Sequence, residues 1–197
     1  MVDQIQKIHD KAREEDVPIM KDDGIAFLLD YIQSHESIRD ILECGTAVGY
    51  SAIRMASLRW DMTVDTLEID PEMFAQAEKN IREAGLEERV HCYLCDAAEF
   101  STKKQYDLIF VDAAKSQYRR YLEHFLNNAY PHTIFIFDNL AFHGIVDDES
   151  LSNNRSTIQM VHKIRKFREA LLKDERFETV YYPDIGDGVA VAKRKRN

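Results

Sequence analysis

The sequence predicts a doubly wound α/β fold: a mostly parallel, seven-stranded sheet with helices on both faces and an antiparallel C-terminal hairpin. Two observations carry this. From residue 39 onward, short apolar runs rich in β-branched and aromatic residues alternate with amphipathic stretches, the pattern of successive βαβ units. The last two runs flank the Gly-rich turn Ile185-Gly-Asp-Gly188, which makes them a hairpin and one edge of the sheet antiparallel.

Residues 2–15 carry apolar side chains at Val2, Ile5, Ile8 and Ala12, a helical period. Val17-Pro18 interrupts it, because the residue before proline avoids the helical region. A second helix follows over Asp22–Ser34, with a core face expected from Ile25, Phe27, Leu28, Leu29, Tyr31 and Ile32. The strand at 39–44 then leads to a helix at 50–59, and the strand at 63–69 to a helix from Pro71 to Ala84. Pro71 suits the first turn of that helix and Gly85 its stop. Val90–Leu94, Tyr106–Val111 and Thr133–Phe137 are the third, fourth and fifth strands, with a helix over Tyr118–Asn128 between the last two. A long helix spans Thr157–Lys173, and Phe177–Tyr182 and Gly188–Ala192 form the hairpin. The chain is expected to form a single domain over 1–197, with residues 1–35 packing on its core and, in an expected homodimer, on a partner subunit.

The composition, 45% hydrophobic and 31% charged over 197 residues, is that of a globular protein able to bury a substantial core. No apolar run approaches the roughly 20 residues of a membrane span, and Met1-Val-Asp-Gln-Ile-Gln-Lys7 lacks a signal-peptide pattern, so a cytoplasmic location is expected. The net charge of −9 argues against a general polyanion binder. It leaves room for local basic patches at Arg119-Arg120, Lys163–Arg168 and Lys193–Arg196. Cys92 and Cys95 have C-x-x-C spacing, but strand alternation sends them to opposite faces, and with Cys44 they are read as apolar filler.

The chemistry is expected at the carboxyl ends of the strands, where ligands sit in doubly wound sheets. Glu43-Cys-Gly45-Thr-Ala-Val-Gly49-Tyr-Ser51 joins the first strand to a helix through a small-residue turn, which frees backbone N–H groups and lets a ligand approach the main chain. Glu68 ends the next strand about 20 positions further on, where an acid accepts hydrogen bonds from ribose hydroxyls. The other ends are Asp96, Asp112 and Asp138-Asn139, every one an acid or an amide. Asp112, Asp138 and Asn139 offer hard oxygens with two charges on adjacent strand ends, a set suited to Mg²⁺ ahead of Ca²⁺ or Mn²⁺.

Glu43 before the glycines, and the Glu-x-Gly-x-x-x-Gly form of the turn, resemble the Rossmann-like class I S-adenosylmethionine (SAM) methyltransferases. Val111-Asp112-Ala-Ala-Lys115 and Phe137-Asp138-Asn139 resemble the motifs of the metal-dependent, catechol-type O-methyltransferases. In that family the two aspartates and the asparagine hold Mg²⁺ and the lysine lies beside the accepting hydroxyl. Val17-Pro-Ile-Met20, Gly45–Ser51, Asp112–Lys115 and Ile185-Gly-Asp-Gly-Val-Ala-Val191 are similar to the bacterial tRNA 5-hydroxyuridine methyltransferase group, across nearly the whole chain. Tyr130-Pro-His-Thr133 departs from that pattern, replacing Pro-Gly-Gly before the fifth strand.

The resemblance implies that SAM contacts Met20, Ser51, Glu68, Asp96, Ala97 and Asp112, in addition to Glu43, Gly45 and Gly49 of the turn. It implies a Mg²⁺-dependent transfer to the wobble 5-hydroxyuridine of a tRNA anticodon loop. Arg119 and Arg120 would then hold phosphates flanking the modified base. Lys115 is read either as the general base or as a charge balancing nearby carboxylates. Two other functions stay open: methylation of a small catechol or other phenol, and a SAM-binding module without catalysis.

Overall fold

A computed structural model describes residues 2–195, so Arg196, the last residue of the predicted basic tail, lies outside the described residues. Six helices, α1 (Val2–Glu14), α2 (Asp22–Gln33), α3 (Tyr50–Ala56), α4 (Pro71–Glu83), α5 (Tyr118–Phe125) and α6 (Arg155–Lys173), surround one sheet. Its strands are β1 (Asp40–Cys44), β2 (Thr63–Glu68), β3 (Val90–Leu94), β4 (Tyr106–Val111), β5 (Ala129–Phe137), β6 (Phe177–Tyr182) and β7 (Val189–Arg194). The strand order is β3-β2-β1-β4-β5-β7-β6, parallel from β3 through β5. β7 runs antiparallel to both β5 and β6. The order reverses between β1 and β4, the switch point at which doubly wound sheets open a crevice.

Alternation along the central strands builds two cores. Ile41, Leu108, Phe110 and Ile136 point to the face covered by α1 to α4, where Ile8, Leu28, Ile53 and Ile81 meet them. Leu42, Ile109, Phe135 and Phe137 point to the face covered by α5 and α6, against Leu122, Phe125, Ile164 and Phe167. Cys92 and Cys95 pack against opposite cores, as the alternation predicts, and all three cysteines are free. Within α1, Ile8 and Ala12 are buried by the chain itself and Ile5 is partly so. The apolar residues that suggested a partner subunit therefore already have neighbours.

The helix signals act as read in α4: the Asp70 side chain accepts from the N–H groups of Glu72 and Met73, Pro71 begins the helix, and Gly85 follows its end at φ +68°. α6 starts two residues earlier than predicted because Asn154 caps it, accepting from Ser156 and Thr157 N–H. α3 stops at Ala56 rather than 59, and α5 tightens into a 3₁₀ turn over Leu126–Asn128. The largest departure is β5, which starts at Ala129 and not at Thr133. Tyr106 pairs with Ala129 but Leu108 with Ile134, so Tyr130–Thr133 bulges from the ladder and accommodates Pro131 there. Tyr130-Pro-His-Thr133 is thus a strand bulge, at the end of the sheet away from the carboxyl ends. Among the described residues no helix is long and apolar enough to cross a membrane.

Candidate active site

Gly45 ends β1 at φ +100°, and a Cβ there would lie 2.2 Å from the carbonyl oxygen of Asp112. Only glycine lets the turn after β1 press onto the main chain after β4. Beneath this turn Glu43 is fully buried, accepting hydrogen bonds from the Ser51 hydroxyl and, at 2.5 Å, from that of Thr66. Burial pushes its carboxyl up to about 7, against the opposing pull of those two hydroxyls. Glu43 therefore supports the floor by tying α3 to β1 and β2. Gly49, at φ +81°, faces α4, where a Cβ would meet that of Ala77 at 3.4 Å.

Glu68 ties two turns together. One carboxylate oxygen accepts from Ala47 N–H at 2.7 Å, the other from the N–H groups of Ile69 and Asp70 at 2.9 Å. Its side chain lines a cleft of about 850 Å³ that opens along the carboxyl ends of the parallel strands. Gly45, Ser51, Asp96 and Ala97 line the same cleft, and Met20 reaches it from the segment between α1 and α2. Asp96 accepts from Ala98 N–H at 2.8 Å, which fixes the turn after β3.

The other end of the cleft is built by β4 and β5. Val111 pairs with Phe137, so Asp112 and Asp138 follow neighbouring positions on adjacent strands. Asp112 and Asn139 line the cleft, while Asp138 is 1% exposed just behind them. Asp138 accepts from the Asn139 N–H at 2.7 Å through Oδ1, leaving Oδ2 over, and its main-chain oxygen accepts from the Tyr118 hydroxyl at 2.8 Å. Desolvation raises Asp138 to about 7, with the negative charge of Asp112 adding to it. Desolvation likewise raises Asp112 to about 6, against the opposing charge of Lys115, whose Nζ lies 3.7 Å from Oδ1. Two carboxylates held close in a dry place, with an amide oxygen beside them, are a donor set that fits a hard divalent cation. Among the described residues no three His, Cys, Asp or Glu side chains gather as a cage, so the third donor would be the Asn139 amide.

Arg119 and Arg120 are exposed on α5 and do not line the cleft; Arg120 reaches it only through Gln117, donating to its Oε1 at 3.1 Å. The motifs passed over Lys21, Phe142 and His143, and gave no site role to Asp187 of the 185–191 stretch; all four line the cleft. For Asp187 a signal was available: an acid between two glycines in a tight turn. Among the described residues, those other than glycine with positive φ are Asp16, Ala47, Asn139, Phe142 and His143, and every one lines this cleft. Backbone strain of about 1–3 kcal/mol per residue is thus concentrated where a ligand would bind.

A glycine turn at the switch point, an acid at the second strand end and an oxygen trio beside it define a methyltransferase of the Rossmann-like class. Residues 1–195 match the O-methyltransferase family model, and the chain belongs to that family: it is a SAM-dependent O-methyltransferase. It is 33% identical to a catechol O-methyltransferase from Niastella koreensis over 78% of this chain and 72% of the relative. Its fold matches a Staphylococcus aureus protein provisionally described as a caffeoyl-CoA O-methyltransferase, with TM-score 0.91 and 30% identity, over 96% and 91% of the two chains. It also matches an O-methyltransferase from Bacillus cereus in complex with SAH, with TM-score 0.82 and 28% identity, over 98% and 91%.

Proposed function

We propose that this enzyme methylates a hydroxyl that has a second oxygen beside it, with Mg²⁺ held by Asp112, Asp138 and Asn139. The observation that carries the reading is the oxygen trio itself, placed at the end of the cleft beyond Gly45. SAM supplies an activated methyl group, so the protein's task is alignment and a good nucleophile. Main chain at Gly45–Ser51 and the carboxylate of Glu68 hold the donor, with the ribose hydroxyls on Glu68 and the base near Asp96 and Ala97. Mg²⁺, when bound, favours the ionised form of the acceptor hydroxyl and accommodates the neighbouring oxygen. Asp112 serves both halves, lining the donor's end and holding the cation. Lys115, 3.7 Å from Asp112, would as an ammonium offset the charge of the ionised hydroxyl, and would accept the hydroxyl's proton only from its neutral form.

The acceptor we favour is 5-hydroxyuridine at the wobble position of a tRNA, whose C5 hydroxyl and C4 carbonyl are vicinal oxygens. Support comes from the four stretches that resemble the tRNA group: Val17–Met20, Gly45–Ser51, Asp112–Lys115 and the 185–188 turn all contribute residues to one cleft. An anticodon loop can present a single splayed base to such a site despite the enzyme's acidity. A small catechol is the second reading, favoured by the relative from Niastella koreensis, since its paired hydroxyls match the same chelate. Nucleoside mass spectrometry of tRNA from a strain lacking the gene separates the two. Loss of 5-methoxyuridine with accumulation of 5-hydroxyuridine supports the tRNA reading, and an unchanged profile removes it.

A further inference from the structure

Three segments far apart in sequence meet on Asp187, which is 5% exposed. Its Oδ1 accepts from the His143 backbone N–H at 2.7 Å, and its Oδ2 lies 3.5 Å from the His143 ring Nδ1. Its main-chain oxygen accepts from Ala141 N–H, and that of Gly188 from Leu140 N–H, both at 2.8 Å. Lys21, from the segment before α2, donates to Asp187 Oδ1 at 3.4 Å and to the Gly186 carbonyl at 3.2 Å. The approach is so close that a Cβ on Gly188 would lie 2.6 Å from the Ala141 nitrogen.

What this junction holds is an unfavourable stretch of backbone. Phe142 and His143 have φ +43° and +56°, followed by Gly144 at +79°. Side chains disfavour successive left-handed residues, and such a stretch persists only where its surroundings over-determine it. The Asp187 carboxylate makes the bond that closes on His143 itself. Phe142 and His143 both line the cleft beside Asn139, at the β5 and β7 side of Asp112. Glu68, Asp96 and Ala97 lie on the opposite side, at the ends of β2 and β3.

We propose that Asp187 is a positioning residue for the acceptor: it clamps Phe142 and His143 in their left-handed conformation, so that they form the wall holding the acceptor against Asp112 and Lys115. The proposal rests on the reading that this end of the cleft receives the acceptor. It places Asp187 away from the donor's end: its carboxylate is engaged by His143 and Lys21, while the turn that carries it packs against Asp138, where a Cβ on Gly186 would lie 3.5 Å from Oδ1.

The test compares Asp187→Ala, which removes the clamp, with Asp187→Asn, whose amide oxygen still accepts from His143 N–H. Probes are tRNA bearing 5-hydroxyuridine, free catechol, SAH, and Mn²⁺ as the spectroscopic cation. Asp187→Ala should raise KM for the methylated acceptor by about tenfold, the effect of losing one hydrogen bond to a charged group, with kcat changed far less. Hydrogen exchange at amides 141–146 should quicken by about the same factor, because the clamp resists local opening. SAH affinity should stay within about twofold of wild type, while Asp187→Ala and Asp187→Asn, which remove the same charge near Asp138, should change Mn²⁺ affinity equally although only Asp187→Ala raises KM. Asp187→Asn should restore both the slow exchange and most of the KM. Unchanged KM, unchanged exchange, an equal loss of SAH affinity, or a KM that rises as much in Asp187→Asn as in Asp187→Ala would each overturn the proposal. Should the wild type methylate neither probe, the acceptor reading fails by itself, and exchange in Asp187→Ala still decides whether the clamp exists.

Discussion

Cation binding to this enzyme should depend steeply on pH, because the two carboxylates that would hold the cation are reluctant to ionise without it. Burial raises Asp112 to about 6 and Asp138 to about 7 from an ordinary value of 3.8. Each must lose its proton before it binds, and each proton costs about tenfold in affinity per pH unit below its pKa. As pH falls from about 8 to about 5 the pair takes up protons that the cation must displace, so Mn²⁺ or Mg²⁺ binding should weaken by more than about tenfold. The same shifts act on folding. A carboxylate whose folded pKa is raised contributes stability that is full below its unfolded value and is lost as pH rises through the folded value. Metal-free protein should therefore lose stability from about pH 4 to about pH 7, and the cation should return it. Glu43, also raised to about 7, titrates in this window and its charge acts on Asp112, so Asp138→Asn, with Glu43 intact, is the control for its share. Calorimetric titration with Mn²⁺ across this range, paired with thermal unfolding, reads both effects. Asp138→Asn should be more stable than wild type at pH 8 without cation and gain little from adding it. An affinity that does not change with pH, or a cation effect undiminished in Asp138→Asn, would refute the reasoning.

Three further outcomes follow from the site. Glu68→Ala should weaken SAH binding by about 1–3 kcal/mol in calorimetry, the range for a lost hydrogen bond to a charged group, and unchanged affinity would remove Glu68 from the donor site. Gly45→Ala should abolish SAH binding and lower the unfolding temperature, because its Cβ would sit 2.2 Å from the Asp112 carbonyl oxygen; a well-folded, active variant would show that the turn has room. Reversing Arg119 and Arg120 together to Glu should raise KM for tRNA and flatten its salt dependence while leaving catechol turnover nearly unchanged. Equal loss on both acceptors would point to misfolding instead.

Sheet and site were unequally legible in the sequence. The strand centres and the α4 caps were readable because Pro71, Asp70 and Gly85 act locally, and because β4 and β5 carry continuous apolar runs, Leu108–Val111 and Ile134–Phe137. The start of β5 was not, since Pro131 argues against a strand unless a bulge is already known. Of the acids and amide read at the strand ends, Glu68, Asp96, Asp112 and Asn139 line the cleft, while Glu43 and Asp138 are buried and do not. Glu43 and Glu68 look alike as residues closing their strands, yet side-chain alternation and the turn geometry bury the first and present the second. Asp187 was hidden for a topological reason: β7 runs antiparallel beside β5, which carries the hairpin turn to the same end as the parallel strands' carboxyl termini. The pattern showed the hairpin without showing which strand it would join. Lys21 and His143 were hidden because they lie in loops positioned by Asp187 rather than by any period in the sequence.

The most direct test of metal-dependent methylation of a chelating hydroxyl uses purified enzyme, SAM and tRNA from a strain lacking the gene, with nucleosides read by mass spectrometry. The account predicts conversion of 5-hydroxyuridine to 5-methoxyuridine, its complete loss in excess EDTA, its return on adding Mg²⁺, and no return for Asp138→Ala despite intact SAH binding. Full conversion in EDTA, or an Asp138→Ala variant as active as wild type, would contradict it.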